Sequence, residues 1–267
     1  MLAKVPGDWD GANMISERTF ARSFSGFWSE LLPLLTPTYV HVINESFKEH
    51  LLDDRGLPLE IVVKNSESAD SAVMAEFAFF LAKIAVENGL RVDQTFQNKD
   101  FRASAEQNAE DAVERYESRG GYIPTTITRI DQQEALSLAH NYERFFRQRP
   151  CSGEKIEFCP EIPGAGFIFS CRADISIGHT LFEVKTVNRN LAGKDIRQLV
   201  VYLALQAVTG ERRWSRAGFF NPRRAIYQEF GVDDVITRMS GGRSSVEVFQ
   251  ELVDFVCSRD IQLDMAF

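Results

Sequence analysis

The chain has 267 residues, of which 44% are apolar and 25% are charged, as is typical of one large globular domain or two modest ones. No stretch approaches about 18 uninterrupted apolar residues, and the N-terminus lacks the residue order of a signal peptide, so we expect a soluble, cytoplasmic protein without a membrane partner. The net charge of -8 argues against a protein that coats nucleic acid by bulk attraction.

The cysteines show no CxxC spacing, so the sequence suggests neither a zinc site nor a disulfide framework. We expect reduced thiols at all four of them, which are Cys151, Cys159, Cys171 and Cys257.

The first half of the chain is predicted to be mainly helical, because its apolar residues recur at a spacing of three to four. The predicted helices cover residues 15–34, 39–53, 69–89 and 103–118, and a short strand is predicted at 59–63. We interpret residues 1–128 as a region for target recognition or partner binding, in which the residue pattern indicates no chemistry.

After Gly120-Gly121 the pattern changes to a mixture of helices and strands. The predicted elements are a helix at 132–147, strands at 155–162, 166–177 and 180–187, a buried helix at 194–208, a strand at 217–220 and a final helix at 244–257. This order predicts a domain of the α/β (α+β) class over residues 129–267, with helices flanking a sheet.

The predicted hairpin at Gly178-His179 brings two carboxylates together. Glycine at the first central position suits a two-residue type II′ turn, in which Ile177 pairs with Thr180 and, three pairs further on, Asp174 faces Glu183. Opposed like charges destabilise a strand pair unless something offsets them, and a divalent cation between them would do so. Carboxylate oxygens, retained waters and a substrate phosphate are the ligands that Mg²⁺ prefers.

Four further residues complete the predicted active site. Lys185 lies two residues after Glu183 on the same strand face, where its ammonium could activate a water or stabilise charge on a phosphate. The backbone carbonyl of Val184 could add a metal ligand. On the buried helix, Gln198 and Tyr202 share one face, and a glutamine in an otherwise apolar helix needs a polar partner.

A strand-borne Asp, then Glu-x-Lys on the adjoining strand and Gln-x-x-x-Tyr on the next helix, resembles the core of the PD-(D/E)XK nuclease superfamily, particularly its RecB-like branch. The resemblance covers about residues 130–225 and lacks the family's proline before the Asp, where Arg172-Ala173 stands. It implies a restriction-endonuclease-like mixed sheet, Mg²⁺ as the cofactor with Mn²⁺ as a substitute, and a catalytic set. That set is Asp174, Glu183, Lys185, Gln198 and Tyr202, with Asp174, Glu183 and Val184 at the metal.

Other residues are candidates on weaker grounds. Family members often carry an acidic residue or a histidine on the helix before the sheet, and Glu134, His140 and Glu143 all qualify. Glu161 could reach the metal from the first strand, although a role at the strand edge is the simpler interpretation. Arg223 and Arg224 follow the fourth strand in an apparent turn, from which they could contact phosphates of nucleic acid.

The leading hypothesis is a Mg²⁺-dependent endodeoxyribonuclease that acts in antiviral defence, restriction or repair. Nucleic acid is the expected partner, with DNA favoured over RNA, and assembly as a homodimer or within a larger defence or repair complex is also envisaged. The alternatives are an RNA-cleaving nuclease and a non-catalytic interaction protein that keeps the nuclease fold.

Overall fold

A computed structural model describes residues 14–64, 71–117, 129–149, 154–210 and 213–258, and within these ranges helices flank a six-stranded mixed sheet. The helices are α1 (Glu17–Arg22), α2 (Ser25–Leu31), α3 (Pro37–Ser46), α4 (Ser71–Glu87), α5 (Val92–Gln97), α6 (Lys99–Glu117), α7 (Arg129–Gln148), α8 (Gly193–Ala207), α9 (Val232–Met239) and α10 (Ser245–Cys257). The strands are β1 (Lys48–His50), β2 (Ile156–Phe158), β3 (Glu161–Ile162), β4 (Cys171–Arg172), β5 (Ile175–Ile177), β6 (Thr180–Val184), β7 (Arg216–Asn221) and β8 (Ile226–Gly231). The predicted α/β class and the helical first half are therefore confirmed.

The main sheet has the strand order β1-β8-β7-β6-β5-β2. Its strands pair antiparallel except for β6 and β7, which run parallel and are connected through α8. Parallel neighbours need such a crossover, since a tight turn can join only antiparallel strands. The crossover places α8 directly after the strand that carries Glu183.

The β5–β6 hairpin has the predicted register, with Ile177 opposite Thr180 and Ile175 opposite Phe182. Gly178 has a φ of 54°, whereas His179 is not in the left-handed region, as a type II′ turn requires. The ladder ends at the Ile175 pair, so Asp174 lies one residue outside it. Asp174 is instead connected to β6 through its side chain.

Two hydrophobic cores lie on opposite faces of the sheet. Consecutive strand residues point to opposite faces, so Leu181 and Phe219 belong to the core under α1, α8 and α10, whereas Phe182 and Phe220 belong to the core under α4 and α7. Both cores combine side chains from the two halves of the chain. The proposed boundary falls beside residues 118–128, which lie outside the described residues.

Several predicted elements differ from the structure. The predicted helix at 15–34 is divided, because Phe24 adopts a left-handed φ of 56° between α1 and α2. The predicted strand at 59–63 was wrong, since that segment makes only separate backbone bonds, such as Val62 N to Arg223 O. The strand of this region is β1, inside the predicted helix 39–53, where pairing with β8 stabilises it. Strand β8 and helix α9 were not predicted.

None of the helices in the described ranges is both long and apolar enough to cross a bilayer.

Candidate active site

Asp174 and Glu183 lie side by side at the end of the β5–β6 hairpin. The backbone N–H of Val184 donates to Asp174 Oδ2 at 2.6 Å, which fixes the Asp174 carboxyl group beside β6. Withdrawal from solvent, followed by the negative charge of Glu183, raises the pKa of Asp174 well above 3.8. The two carboxyl groups therefore repel each other in a poorly solvated place.

Glu183 is almost fully buried, with 1% of its surface exposed. Its Oε1 accepts a hydrogen bond from Lys185 Nζ at 2.7 Å, but its Oε2 is buried without a hydrogen-bond partner among the described residues. A buried carboxylate oxygen without a partner is costly to maintain in a folded protein. This atom marks a position where a donor or a cation would be stabilised.

Lys185 connects the strand to the buried helix. Its Nζ also donates to Gln198 Oε1 at 2.9 Å, and Gln198 Nε2 donates to the Tyr202 hydroxyl at 2.8 Å. Both helical residues are buried, so Lys185 supplies the polar partner that a glutamine in an apolar helix requires. Five predicted site residues thus form one contiguous group at the junction of β5, β6 and α8.

Asp195 adds a third carboxylate near Lys185, with its Oδ1 at 3.9 Å from Lys185 Nζ. It caps the start of α8 by accepting from the Ala192 N–H at 2.8 Å, and it pairs with Arg189 at 2.5 Å. Although burial acts in the opposite direction, the hydrogen bonds from Arg189 hold the pKa of Asp195 below 3.8. Asp195 is therefore an ionised structural partner of the helix start.

The group opens into a cleft of about 1220 Å³ between the sheet, α1, α4 and α8. Asp174, Val184, Lys185 and Gln198 line it, whereas Glu183 lies beneath its surface. Among the described residues, the lining includes eight basic and five acidic side chains. The basic ones are Arg18, Arg22, Lys83, Arg172, Lys185, Arg189, Lys194 and Arg213, and the acidic ones are Glu17, Glu76, Glu161, Asp174 and Asp195. The cleft thus has the opposite charge balance to the whole chain, which suits an anionic ligand.

Two predicted nucleic-acid contacts lie away from this cleft. Arg223 is 3% exposed and forms a buried ion pair with Glu134 at 2.6 Å, so the side chain expected to meet phosphates is enclosed in the protein. Arg224 is half-buried and donates to Asn190 Oδ1 at 2.5 Å. The turn between β7 and β8 is present as predicted, but its arginines serve local structure.

The remaining candidates on α7 are also placed elsewhere. His140 and Glu143 lie on the outer face of the helix, where His140 Nε2 is 3.1 Å from Asp93. Tyr142, on the opposite face, lines the cleft instead, and burial, followed by the charge of Asp174, raises its pKa well above 10.0. Glu161 lines the cleft at an exposed position and pairs with Arg172.

Three acidic residues at the cleft were missed, namely Asp195, described above, and two others. Glu17, at the start of α1, is 6% exposed and accepts from the Tyr202 hydroxyl at 3.3 Å. Glu76 lines the cleft from α4 and acts electrostatically on Tyr142. Glu76 had a sequence signal, since it is the one acidic residue within an apolar run of α4 that extends from Ala72 to Ala82. No local pattern distinguishes Glu17.

Fold and site together define an α/β protein with a pair of neighbouring carboxyl groups, one of them hydrogen-bonded to a lysine, at a cleft with a basic lining. No group of three or more histidine, cysteine, aspartate or glutamate residues within the described ranges is arranged to hold a metal. Comparison with known proteins finds no matching family model, no matching curated protein and no matching solved structure.

Proposed function

We propose that the chain is a Mg²⁺-dependent phosphodiesterase that cleaves nucleic acid internally, with DNA as the preferred substrate. The observation that carries this proposal is the placement of Asp174 beside Glu183, with Lys185 Nζ on Glu183 Oε1 at 2.7 Å. Two carboxylates that could hold a metal ion, with an ammonium group beside them to stabilise developing negative charge, can support metal-assisted phosphodiester hydrolysis. The basic excess along the cleft supports a polyanionic substrate.

The residues present fit a divalent cation. Glu183 Oε2 is buried without a described partner, and Asp174 and Glu183 repel each other, so a cation shared by both carboxylates would offset both penalties. Mg²⁺ commonly binds through one or two carboxylates and completes its shell with waters and substrate phosphate, so a third protein carboxylate is not required. When bound there, Mg²⁺ or its substitute Mn²⁺ polarises a phosphoryl oxygen and lowers the pKa of a coordinated water.

Besides the metal ion, Lys185 provides a positive charge at the proposed site. An ammonium group has three N–H donors, of which two are directed at Glu183 Oε1 and Gln198 Oε1. The third remains for a substrate oxygen, and the side chain reaches the cleft with 14% of its surface exposed. Lys185 would thus stabilise charge on the phosphate and orient the attacking water, while Gln198 holds the ammonium in place.

A cleavage assay tests the proposal. Supercoiled plasmid, linear duplex, single-stranded DNA and RNA are incubated with purified protein in Mg²⁺, in Mn²⁺ and in EDTA. We expect metal-dependent nicking of plasmid, and we expect Asp174→Asn and Lys185→Met each to lower the rate by roughly 100-fold or more. Matched controls are Asp100→Asn and Lys99→Met, exposed neighbours at the start of α6 outside the cleft, which should cleave at the wild-type rate.

The outcomes separate the alternatives. Cleavage that survives Asp174→Asn would remove the site assignment, and cleavage of RNA alone would change the substrate class. Absence of cleavage with every substrate and both metals would favour a non-catalytic interaction protein.

A further inference from the structure

A chain of hydrogen bonds connects helix α1 to the ammonium group at the site. The Tyr202 hydroxyl donates to Glu17 Oε1 at 3.3 Å and accepts from Gln198 Nε2 at 2.8 Å. Gln198 Oε1 then accepts from Lys185 Nζ at 2.9 Å. Four side chains, from α1, α8 and the residue that follows β6, are therefore joined in one path of hydrogen bonds.

The direction of this path is set at both ends, because the Lys185 ammonium group can only donate and the Glu17 carboxylate can only accept. A carboxylate is only an acceptor, so Glu17 requires the Tyr202 O–H to point towards it and leaves the phenol oxygen to accept from Gln198. Burial, followed by the charge of Glu183, raises the pKa of Tyr202 well above 10.0, so the phenol keeps the proton it donates. Gln198 must then direct its Nε2 at Tyr202 and its Oε1 at Lys185.

Without an acceptor at position 17 only Lys185 still holds this direction, and the opposite direction competes with it. The Tyr202 O–H can turn and donate to the Gln198 carbonyl oxygen, which requires the amide to rotate by a half-turn. The amide N–H₂ would then face Lys185 Nζ, and two donors would oppose each other in a buried place. Lys185 would lose one of the two acceptors that hold its ammonium group.

Helix α1 is firmly attached where this contact is made. Ser16 caps the helix by accepting from the Thr19 N–H at 3.1 Å, which fixes Glu17 in the first turn. Just before it, the Ile15 N–H donates to Phe167 O at 2.8 Å, and the Phe169 N–H donates to Ile15 O at 3.1 Å. The backbone just before Glu17 is thereby held against residues 167–169, and the cap orders the helical turn that carries Glu17.

We propose that Glu17 is a positioning residue of the site, which together with Lys185 sets the orientation of the Gln198 amide, acts on it through Tyr202, and thereby keeps the acceptor that holds Lys185 in place. The part that concerns cleavage rests on the proposed nuclease function. Helix α1 is then part of the catalytic apparatus, and Glu17 acts on Lys185 through Tyr202 and Gln198.

The kinetic test compares two substitutions of the same size. Glu17→Gln keeps an acceptor for the Tyr202 hydroxyl, whereas Glu17→Leu removes it. We expect Glu17→Leu to lower kcat about tenfold with little change in KM, since misplacement of a reacting group slows the chemical step. Glu17→Gln should restore kcat to within about threefold of wild type. Equal losses in both variants, or a loss confined to KM, would overturn the proposal.

A spectroscopic test does not depend on cleavage. Protein labelled with ¹⁵N-glutamine gives side-chain amide signals, and the signal that disappears in Gln198→Met is that of Gln198. We expect this signal to shift in Glu17→Leu and in Tyr202→Phe, and to stay near its wild-type position in Glu17→Gln. Because Tyr202→Phe interrupts the same path by loss of a single oxygen, it provides the test should Glu17→Leu fail to fold.

The two tests distinguish the possible failures. If wild-type protein cleaves nothing, the proposed function fails, and the amide signals alone decide whether Glu17 orients Gln198. An unchanged Gln198 signal in the folded variants would overturn the positioning role even in an active enzyme.

Discussion

Replacement of Arg223 by methionine is expected to destabilise the protein strongly without acting on the site. The guanidinium group is 3% exposed, pairs with Glu134 at 2.6 Å, and donates to the Val62 carbonyl at 3.0 Å. Removal of one partner of a buried ion pair leaves the other charge without compensation, which costs about 3–5 kcal/mol. Because the free energy of unfolding of a folded protein is commonly about 5–15 kcal/mol, this loss is a large fraction of the total stability.

The expected loss corresponds to a fall in Tm of roughly 6–20 °C, at about 2–4 °C for each kcal/mol in a chain of this size. Differential scanning calorimetry measures it directly. Arg224→Met is the matched control, because that neighbouring arginine is only half-buried, and its substitution should cost about 1 kcal/mol or less. The double variant Glu134→Leu/Arg223→Met should recover part of the loss, since it removes both charges.

A Tm for Arg223→Met within about 1 °C of wild type would refute this reasoning. So would a selective loss of nucleic-acid binding with a reduced dependence on salt concentration, because that is the signature of a phosphate contact.

Three further predictions concern the metal, the sheet and pH. Mg²⁺ at ten times its dissociation constant should stabilise the folded protein by about 1.4 kcal/mol, and thermal melts should show no such gain in Asp174→Asn. Gly218→Ala should lower the free energy of unfolding by about 1–3 kcal/mol in urea titrations, because a Cβ there would lie 2.2 Å from the Gln228 carbonyl oxygen. A urea midpoint equal to that of wild type would contradict this close packing. Although burial acts in the opposite direction, hydrogen bonds from arginines, Arg149 foremost, hold the pKa of Glu229 below 4.5. The stability that the ionised Glu229 carboxylate contributes is complete above pH 4.5 and is lost as the pH falls through its lower pKa in the folded protein. The difference in Tm between wild type and Glu229→Gln should therefore become smaller in acid. A difference in Tm that stays constant with pH would exclude this linkage.

The central hairpin could be predicted from sequence because its determinants are local. Gly178 at the turn and the alternation of apolar and polar residues on both sides fixed the register, and that register placed Asp174 beside Glu183. The position of Lys185 followed from the two-residue period of the strand. Its contact with Gln198 supplied the partner that the buried helix lacked.

The features that were missed depend on contacts between distant parts of the chain. Strand β1 is only three residues long and is stabilised by β8, which lies almost 180 residues later. Glu17 meets Tyr202 across 185 residues, and nothing near Glu17 in the sequence indicates that contact. Such pairings become visible only when the fold is known.

The α7 candidates were a different case, because the sequence carried the information needed to reject two of them. Ala135, Leu138, Tyr142 and Phe145 recur at helical spacing and are all buried, so they define the face towards the sheet. His140 and the acidic residue at position 143 lie off that stripe. If the position around the helix had been considered before the residue type, both residues would have been placed on the outer face of α7.

The assembly of the sheet between two cores has a consequence for how the protein is made. Phe77 and its neighbours on α4 share one hydrophobic core with Phe220 and other strand residues, which leave the ribosome about 140 residues later. At a synthesis rate of about 5–20 residues per second, roughly 7–30 s pass between the synthesis of α4 and that of the strands that cover it. Helices α6 and α7 also pack against α4 and are made earlier, but the part of this core that the sheet covers stays exposed during that interval, so the yield should depend on chaperones that bind emerging hydrophobic helices.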